Sequence, residues 1–162
     1  MNETEAETLT RQLATLLQQR GQHICTAESC TGGLIAKTFT DLAGSSQWFD
    51  RGFVTYSNQA KIDMLGVSAQ TLQQFGAVSG QVAAEMAVGA IQYSAAQVAI
   101  AVTGIAGPGG GSQLKPVGTV WFGFACDGEI TTERQLFEGD RAAVRECSLL
   151  FAINKMLQMM HK

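Results

Sequence analysis

Only two histidines occur in this chain, His23 and His161, and no cysteine pair has the CxxC spacing. The first shortage leaves no compelling cysteine–histidine nucleophile, since His161 lies in the terminal tail and His23 opens a strand-like run. The second leaves the cysteines without zinc-ligand spacing, so no cysteine-bound metal cofactor is expected. Cys25, Cys126 and Cys147 sit among apolar neighbours and read as reduced core residues. Charge is also sparse, at 15% of residues with a net of −3. That balance argues against a general nucleic-acid binder, although a local phosphate pocket is compatible with it. Apolar runs fall far short of the roughly 20 residues that span a bilayer, which speaks against a membrane partner. The opening MNETEAETLT is polar and acidic rather than a signal peptide. A cytoplasmic enzyme or binding domain is the class these absences leave.

What the chain does have is 162 residues, 46% of them hydrophobic, enough for one domain over residues 1–162. Leu9, Leu13, Leu16 and Leu17 form one stripe of a helix over 3–20 that Gly21 ends. A strand at 23–27, a turn at 28–31 and a helix at 33–42 follow. The pattern then predicts a strand at 52–57, a helix capped by Asn58, and a short helix over 68–75. Ser79 caps a helix over 80–95, and QVAIAV (97–102) reads as a strand buried on both faces. A glycine-rich loop covers 104–116. Strands at 119–126 and 130–137 flank Asp127-Gly128, a hairpin signal, and Asp140 caps a last helix ending near Met159. Met156, Met159 and Met160 read as packing residues. Alternating elements with one hairpin imply a layered α/β sandwich with a mixed sheet.

Three stretches carry chemistry. TAESCTGG (26–33) joins a strand to a helix, where unpaired backbone N–H groups suit an anion. Ser29 and Thr31 add hydroxyl donors, and Gly32 allows close approach; an ordinary capped helix start is the competing reading. Cys30 sits at the same helix start, where thiolates are stabilised, but it lacks a histidine partner. GSSQWFDRGFVTYSNQAK (44–61) holds a hydroxyl (Ser46), a phenol (Tyr56) and an amine (Lys61). Serine becomes a nucleophile only when a neighbour removes its proton, and lysine serves if its pKa falls from about 10.4. Burial and a nearby cation such as Arg51 would lower it. The turn at Gly44-Ser45 could point N–H groups at an attacked carbonyl oxygen. Alternatively, Ser46 is a cap, Tyr56 a core residue and Lys61 a solvated one. TGIAGPGGG (103–111) leaves a buried strand end, where α/β sheets bind ligands, which brings in Thr103 and Gly104. Arg141 opens the last helix and could hold a phosphate or carboxylate, or pair with Asp140 or Glu138.

TAESCTGG, DLAGSSQWFDRGFVTYSNQAK, GAVS, TGIAGPGGG, KPVGTVWFGF and GDR, in this order, resemble the CinA C-terminal domain family over approximately residues 5–158. Stand-alone members of that family are similar to amidohydrolases of nicotinamide mononucleotide (NMN). The resemblance implies a three-layer α/β/α sandwich with a mixed, mostly parallel sheet. It also implies hydrolysis of the NMN carboxamide to nicotinate mononucleotide and ammonia, without a metal. It assigns Ser46 as nucleophile and Lys61 as base, with Tyr56 relaying or orienting the proton. The 5′-phosphate would rest on Ser29, Thr31, Gly32 or Arg141. Two positions depart from the family pattern: Gly109 stands where an acidic residue follows GIAGP, and Gly80 where glutamate commonly follows GAVS. A catalytically silent nucleotide-binding paralogue is therefore the alternative, and exposed apolar helix faces would make a homo-oligomer of either.

Overall fold

The computed structural model describes residues 2–161. Five strands form one sheet: β1 (Ile24–Glu28), β2 (Phe49–Val54), β3 (Val98–Gly104), β4 (Thr119–Cys126) and β5 (Glu129–Leu136). Their order is β2-β1-β3-β4-β5. Pairing is parallel across β2-β1-β3 and antiparallel across β3-β4-β5. The hairpin forms at Asp127-Gly128, both with positive φ (54° and 78°), as a two-residue turn of this kind requires.

Helices α1 (Glu5–Arg20), α2 (Leu34–Thr40) and α6 (Arg141–Met160) cover one face. Helices α3 (Asn58–Leu65), α4 (Ala69–Phe75) and α5 (Gly80–Gln92) cover the other. The result is the three-layer sandwich. Alternation along β3 sorts its side chains by size: Val98, Ile100 and Val102 meet α1, α2 and α6, whereas Ala99 and Ala101 meet α5. Small residues on the second face let α5 lie close, and a Cβ on Gly123 of β4 would run into the Ala83 carbonyl oxygen.

Most element boundaries move by one to three residues from the sequence reading, and two of these shifts have a clear local reason. Strand β2 starts at Phe49 because Trp48 is buried beneath Phe39 and its carbonyl accepts from Ile24 N–H (2.8 Å). Ser57, one residue before Asn58, caps α3 by accepting from Ala60 N–H (3.0 Å). The caps Ser79 and Asp140 stand where the sequence put them. Met156 and Met160 are buried in the first core, with Met159 against it.

The chain positions a site at one end of the sheet. Parallel pairing brings the carboxyl ends of β2, β1 and β3 to one edge of the sheet, where the chain passes to α3, α2 and the glycine-rich loop and leaves a crevice. Helix α3 hangs over that crevice from the end of β2, held against α5 at Gly89, where a Cβ would meet the Leu65 carbonyl. Replacing an unstrained helical glycine by alanine ordinarily stabilises by up to about 1 kcal/mol. At Gly89 we expect the reverse: Gly89→Ala should destabilise by about 2 kcal/mol through overpacking. At roughly 2–4 °C per kcal/mol for a chain of this size, differential scanning calorimetry should read a drop of about 5 °C.

Candidate functional site

The carboxyl ends of β1, β2 and β3 deliver Ser29, Tyr56 and Thr103-Gly104 to the rim of a single cleft. Its volume is about 260 Å³, and Ser29, Cys30, Tyr56, Lys61, Gly109 and Arg141 are among its lining residues. Ser29 is pinned by its backbone N–H, which donates to Val102 O across the β1–β3 seam (3.0 Å).

Lys61 projects from the first turn of α3 beneath the end of β2 and is only 1% exposed. Its Nζ lies 2.9 Å from Thr55 O, 3.3 Å from Tyr56 O and 3.0 Å from Ser29 Oγ. None of the described salt bridges includes it. Burial pushes its pKa below the ordinary lysine value, with Cys30 nearby acting weakly the other way. A neutral amine held here can donate to the two carbonyls and accept from the Ser29 hydroxyl, which also lies 3.4 Å from Tyr56 O. That is the geometry of a general base beside its nucleophile.

The turn after Ser29 supplies the complementary donors. The described backbone hydrogen bonds assign no carbonyl acceptor to Cys30 N–H or Thr31 N–H, which makes both candidate donors to an oxyanion, and Cys30 itself borders the cleft. Buried Glu28 braces this turn from below. Its carboxylate accepts from Thr31 Oγ1 (2.7 Å), Ile35 N–H (2.9 Å) and Ala36 N–H (3.0 Å), which caps α2. The sequence reading missed Glu28, although a carboxylate just ahead of a helix start is the signal for it.

The residues named from sequence fall into two groups. Ser29, Tyr56, Lys61, Thr103, Gly104 and Arg141 line the cleft together. Thr103 spends its hydroxyl on Ala77 O (2.9 Å) and Thr31 spends its own on Glu28. Gly32 lies at the turn, facing the Arg145 guanidinium. Tyr56 is exposed, and its phenol oxygen accepts from Arg141 Nη2 (3.1 Å). Arg141 also donates to Gly107 O (2.8 Å), so it ties the glycine loop to Tyr56 instead of pairing with Asp140 or Glu138. Ser45 and Ser46 lie elsewhere, on a short 3-10 turn (Ser45–Gln47) before β2. The register pairs Phe49 with Ile24 and Val54 with Glu28, so that turn and the cleft occupy opposite ends of the sheet. Along β2 this is roughly 20 Å, too far for Ser46 to touch Lys61 of its own chain.

Three further expectations resolve here. Arg51 does not tune Lys61, because it is at the far end of β2 bonded to Asp50 and to Tyr93 O. The Cys30 thiol borders the cleft, but burial pushes its pKa up to about 12, which keeps it protonated and a poor nucleophile. Of the two departures from the family pattern, only Gly109 borders the cleft, and a Cβ there meets nothing within 4 Å. Gly80 instead packs under Trp121, whose ring would lie 2.9 Å from a Cβ.

The sequence profile of the CinA C-terminal domain family matches residues 6–160. The chain belongs to the CinA C-terminal domain family. It is 55% identical over 159 residues to the nicotinamide-nucleotide amidohydrolase PncC of Enterobacter agglomerans, covering 98% of this chain and 97% of that one. The PncC of Escherichia coli K12 is 53% identical over 159 residues, at 98% and 96% coverage. Among crystal structures, the competence/damage inducible protein CihA from Agrobacterium tumefaciens superposes with a TM-score of 0.93 at 46% identity. That match covers 100% of this chain and 99% of the other. No helix among the described residues of this CinA domain is long and apolar enough to cross a membrane.

The lowered Lys61 pKa has a thermodynamic consequence with a definite sign. Between the folded value and about 10.4, the unfolded chain binds more protons at this residue than the native protein does. Lys61 therefore costs no stability above about pH 10.4 and costs progressively more as pH falls to the folded pKa. Comparing wild type with Lys61→Met by thermal denaturation from pH 7 to 10.5, we expect the wild-type Tm to gain on the variant as pH rises. A constant difference would mean that the Lys61 pKa is ordinary.

Proposed function

We propose that this protein hydrolyses the carboxamide of NMN, giving nicotinate mononucleotide and ammonia, with Ser29 as nucleophile and Lys61 as base. The observation that carries the assignment is the 3.0 Å contact between Ser29 Oγ and the buried Lys61 Nζ. The substrate follows from the names of the two amidohydrolases that match the chain from end to end. The positively charged pyridinium ring of NMN withdraws electrons from its carboxamide, which makes the carbonyl carbon a better target for a serine.

In the reaction, neutral Lys61 takes the Ser29 proton as Oγ forms a bond to the carboxamide carbon. Negative charge on the carbonyl oxygen is met by the Cys30 and Thr31 N–H groups. Collapse breaks the C–N bond while Lys61 returns its proton to the departing nitrogen, which leaves as ammonia. Lys61, neutral again, accepts a proton from water attacking the Ser29 ester. The ester C–O bond then breaks, Ser29 recovers its proton, and nicotinate mononucleotide departs as a carboxylate. Tyr56 acts at the mouth, held by Arg141, where it orients the ring and does not touch the reacting oxygen. The silent-paralogue alternative gains no support from Gly80, which packs under Trp121 away from the cleft.

Ammonia release from NMN by Ser29→Ala is expected to fall by about 10³-fold or more, as removing one member of a nucleophile–base unit does. Ser46→Ala should stay within about threefold of wild type. The opposite ranking would return the nucleophile to Ser46, and no release by wild type would remove the amidohydrolase reading altogether.

A further inference from the structure

A second cleft, of about 670 Å³, adjoins the first, and Arg141 lines both. Its walls include Ala106, Pro108, Val117, Asp140 and Arg145. Arg145 is one helical turn beyond Arg141, so both guanidinium groups lie on the same side of α6. Neither forms a salt bridge with a carboxylate among the described residues. Arg141 donates to Gly107 O and Tyr56 Oη, while Arg145 Nη2 donates to Thr31 O (3.0 Å). Arg145 Nε is buried without any partner. Asp140 is the carboxylate in this lining, and it is committed to capping α6 through Ala143 N–H (2.9 Å).

Two neighbouring cations share this lining with a single carboxylate, Asp140, which forms a salt bridge with neither, so the wall keeps an excess of positive charge that a bound dianion relieves. Guanidinium forks suit phosphate oxygens in particular. We infer that this second cleft seats the phosphate monoester of the substrate on Arg141 and Arg145, making Arg145 a determinant of nucleotide over nucleoside. The inference rests on the amidohydrolase reading, and it sharpens the earlier choice among Ser29, Thr31, Gly32 and Arg141. Ser29 is spent on the reaction, Thr31 Oγ1 on Glu28 and the Gly32 N–H on Ser29 O (3.0 Å), leaving the arginines. Because Arg145 also holds the Thr31 carbonyl, the phosphate seat touches the turn that bears the nucleophile.

Ammonia release should be measured with NMN and with nicotinamide riboside, which differs only by lacking the phosphate. Charge-assisted hydrogen bonds contribute enough that we expect a preference for NMN in kcat/KM of about 100-fold. In Arg145→Met that ratio should fall about tenfold or more, with Arg145→Lys recovering part of it. Equal losses on both substrates would mark Arg145 as structural and overturn the inference, as would a wild type indifferent to the phosphate. A thermal-shift arm uses inorganic phosphate against chloride at matched ionic strength. Phosphate should raise the wild-type Tm and leave Arg145→Met unmoved; no wild-type shift counts against the seat. Failure of ammonia release alongside a phosphate-dependent shift would sink the amidohydrolase reading while sparing the anion site.

Discussion

The site is organised around an ammonium-bearing side chain that the fold takes out of water without supplying an anion. Lys61 is buried between two main-chain carbonyls and a serine hydroxyl, with no carboxylate among its hydrogen-bond partners. Desolvation then favours the neutral form. A carboxylate in the same place would have reversed this and raised the pKa. The nearest acidic residue in sequence to Ser29, Glu28, is instead turned away and bound by the start of α2.

Much of the surrounding architecture holds that arrangement in place. Parallel pairing of β1 with β2 and β3 brings three strand ends to one edge. Alanine and glycine on the second face of the sheet let α5 approach closely, and Gly89 lets α3 lie against α5. Helix α3 thereby lowers Lys61 under the end of β2, 3.0 Å from a serine that the β1–β3 seam fixes. From the opposite face, α6 sends Arg141 and Arg145 across to Tyr56, the glycine loop and the turn after Ser29. The positive side of the cleft and its reacting side thus come from different layers, which suits a ligand with a neutral amide at one end and an anion at the other.

The layers, the hairpin, the glycine loop and most caps were legible in the sequence because each depends on a local signal: periodicity, Asp127-Gly128, Ser79, Asp140. Lys61 and Tyr56 were legible as a pair because five residues across a strand end and a helix start force proximity. The partner of Lys61 was not. Ser46 is nearer in sequence, but a six-residue strand separates it from Lys61 and carries it to the far edge of the sheet. Ser29 is 32 residues away and adjacent in space, because strand order places the end of β1 beside the end of β2. Sequence separation misleads wherever an extended strand intervenes. Arg145 was missed for a related reason: its spacing from Arg141 was visible, but nothing local linked either to the turn at Thr31.

The central claim, that Ser29 attacks under the control of buried Lys61, is tested most directly by locating the acyl group. Wild-type protein under saturating NMN should be quenched in acid during turnover, digested and mapped by mass spectrometry. The account predicts a substrate-derived acyl adduct, NMN less ammonia, on the peptide carrying Ser29, with the ester on that serine. An adduct on Ser46 or Cys30 would contradict it.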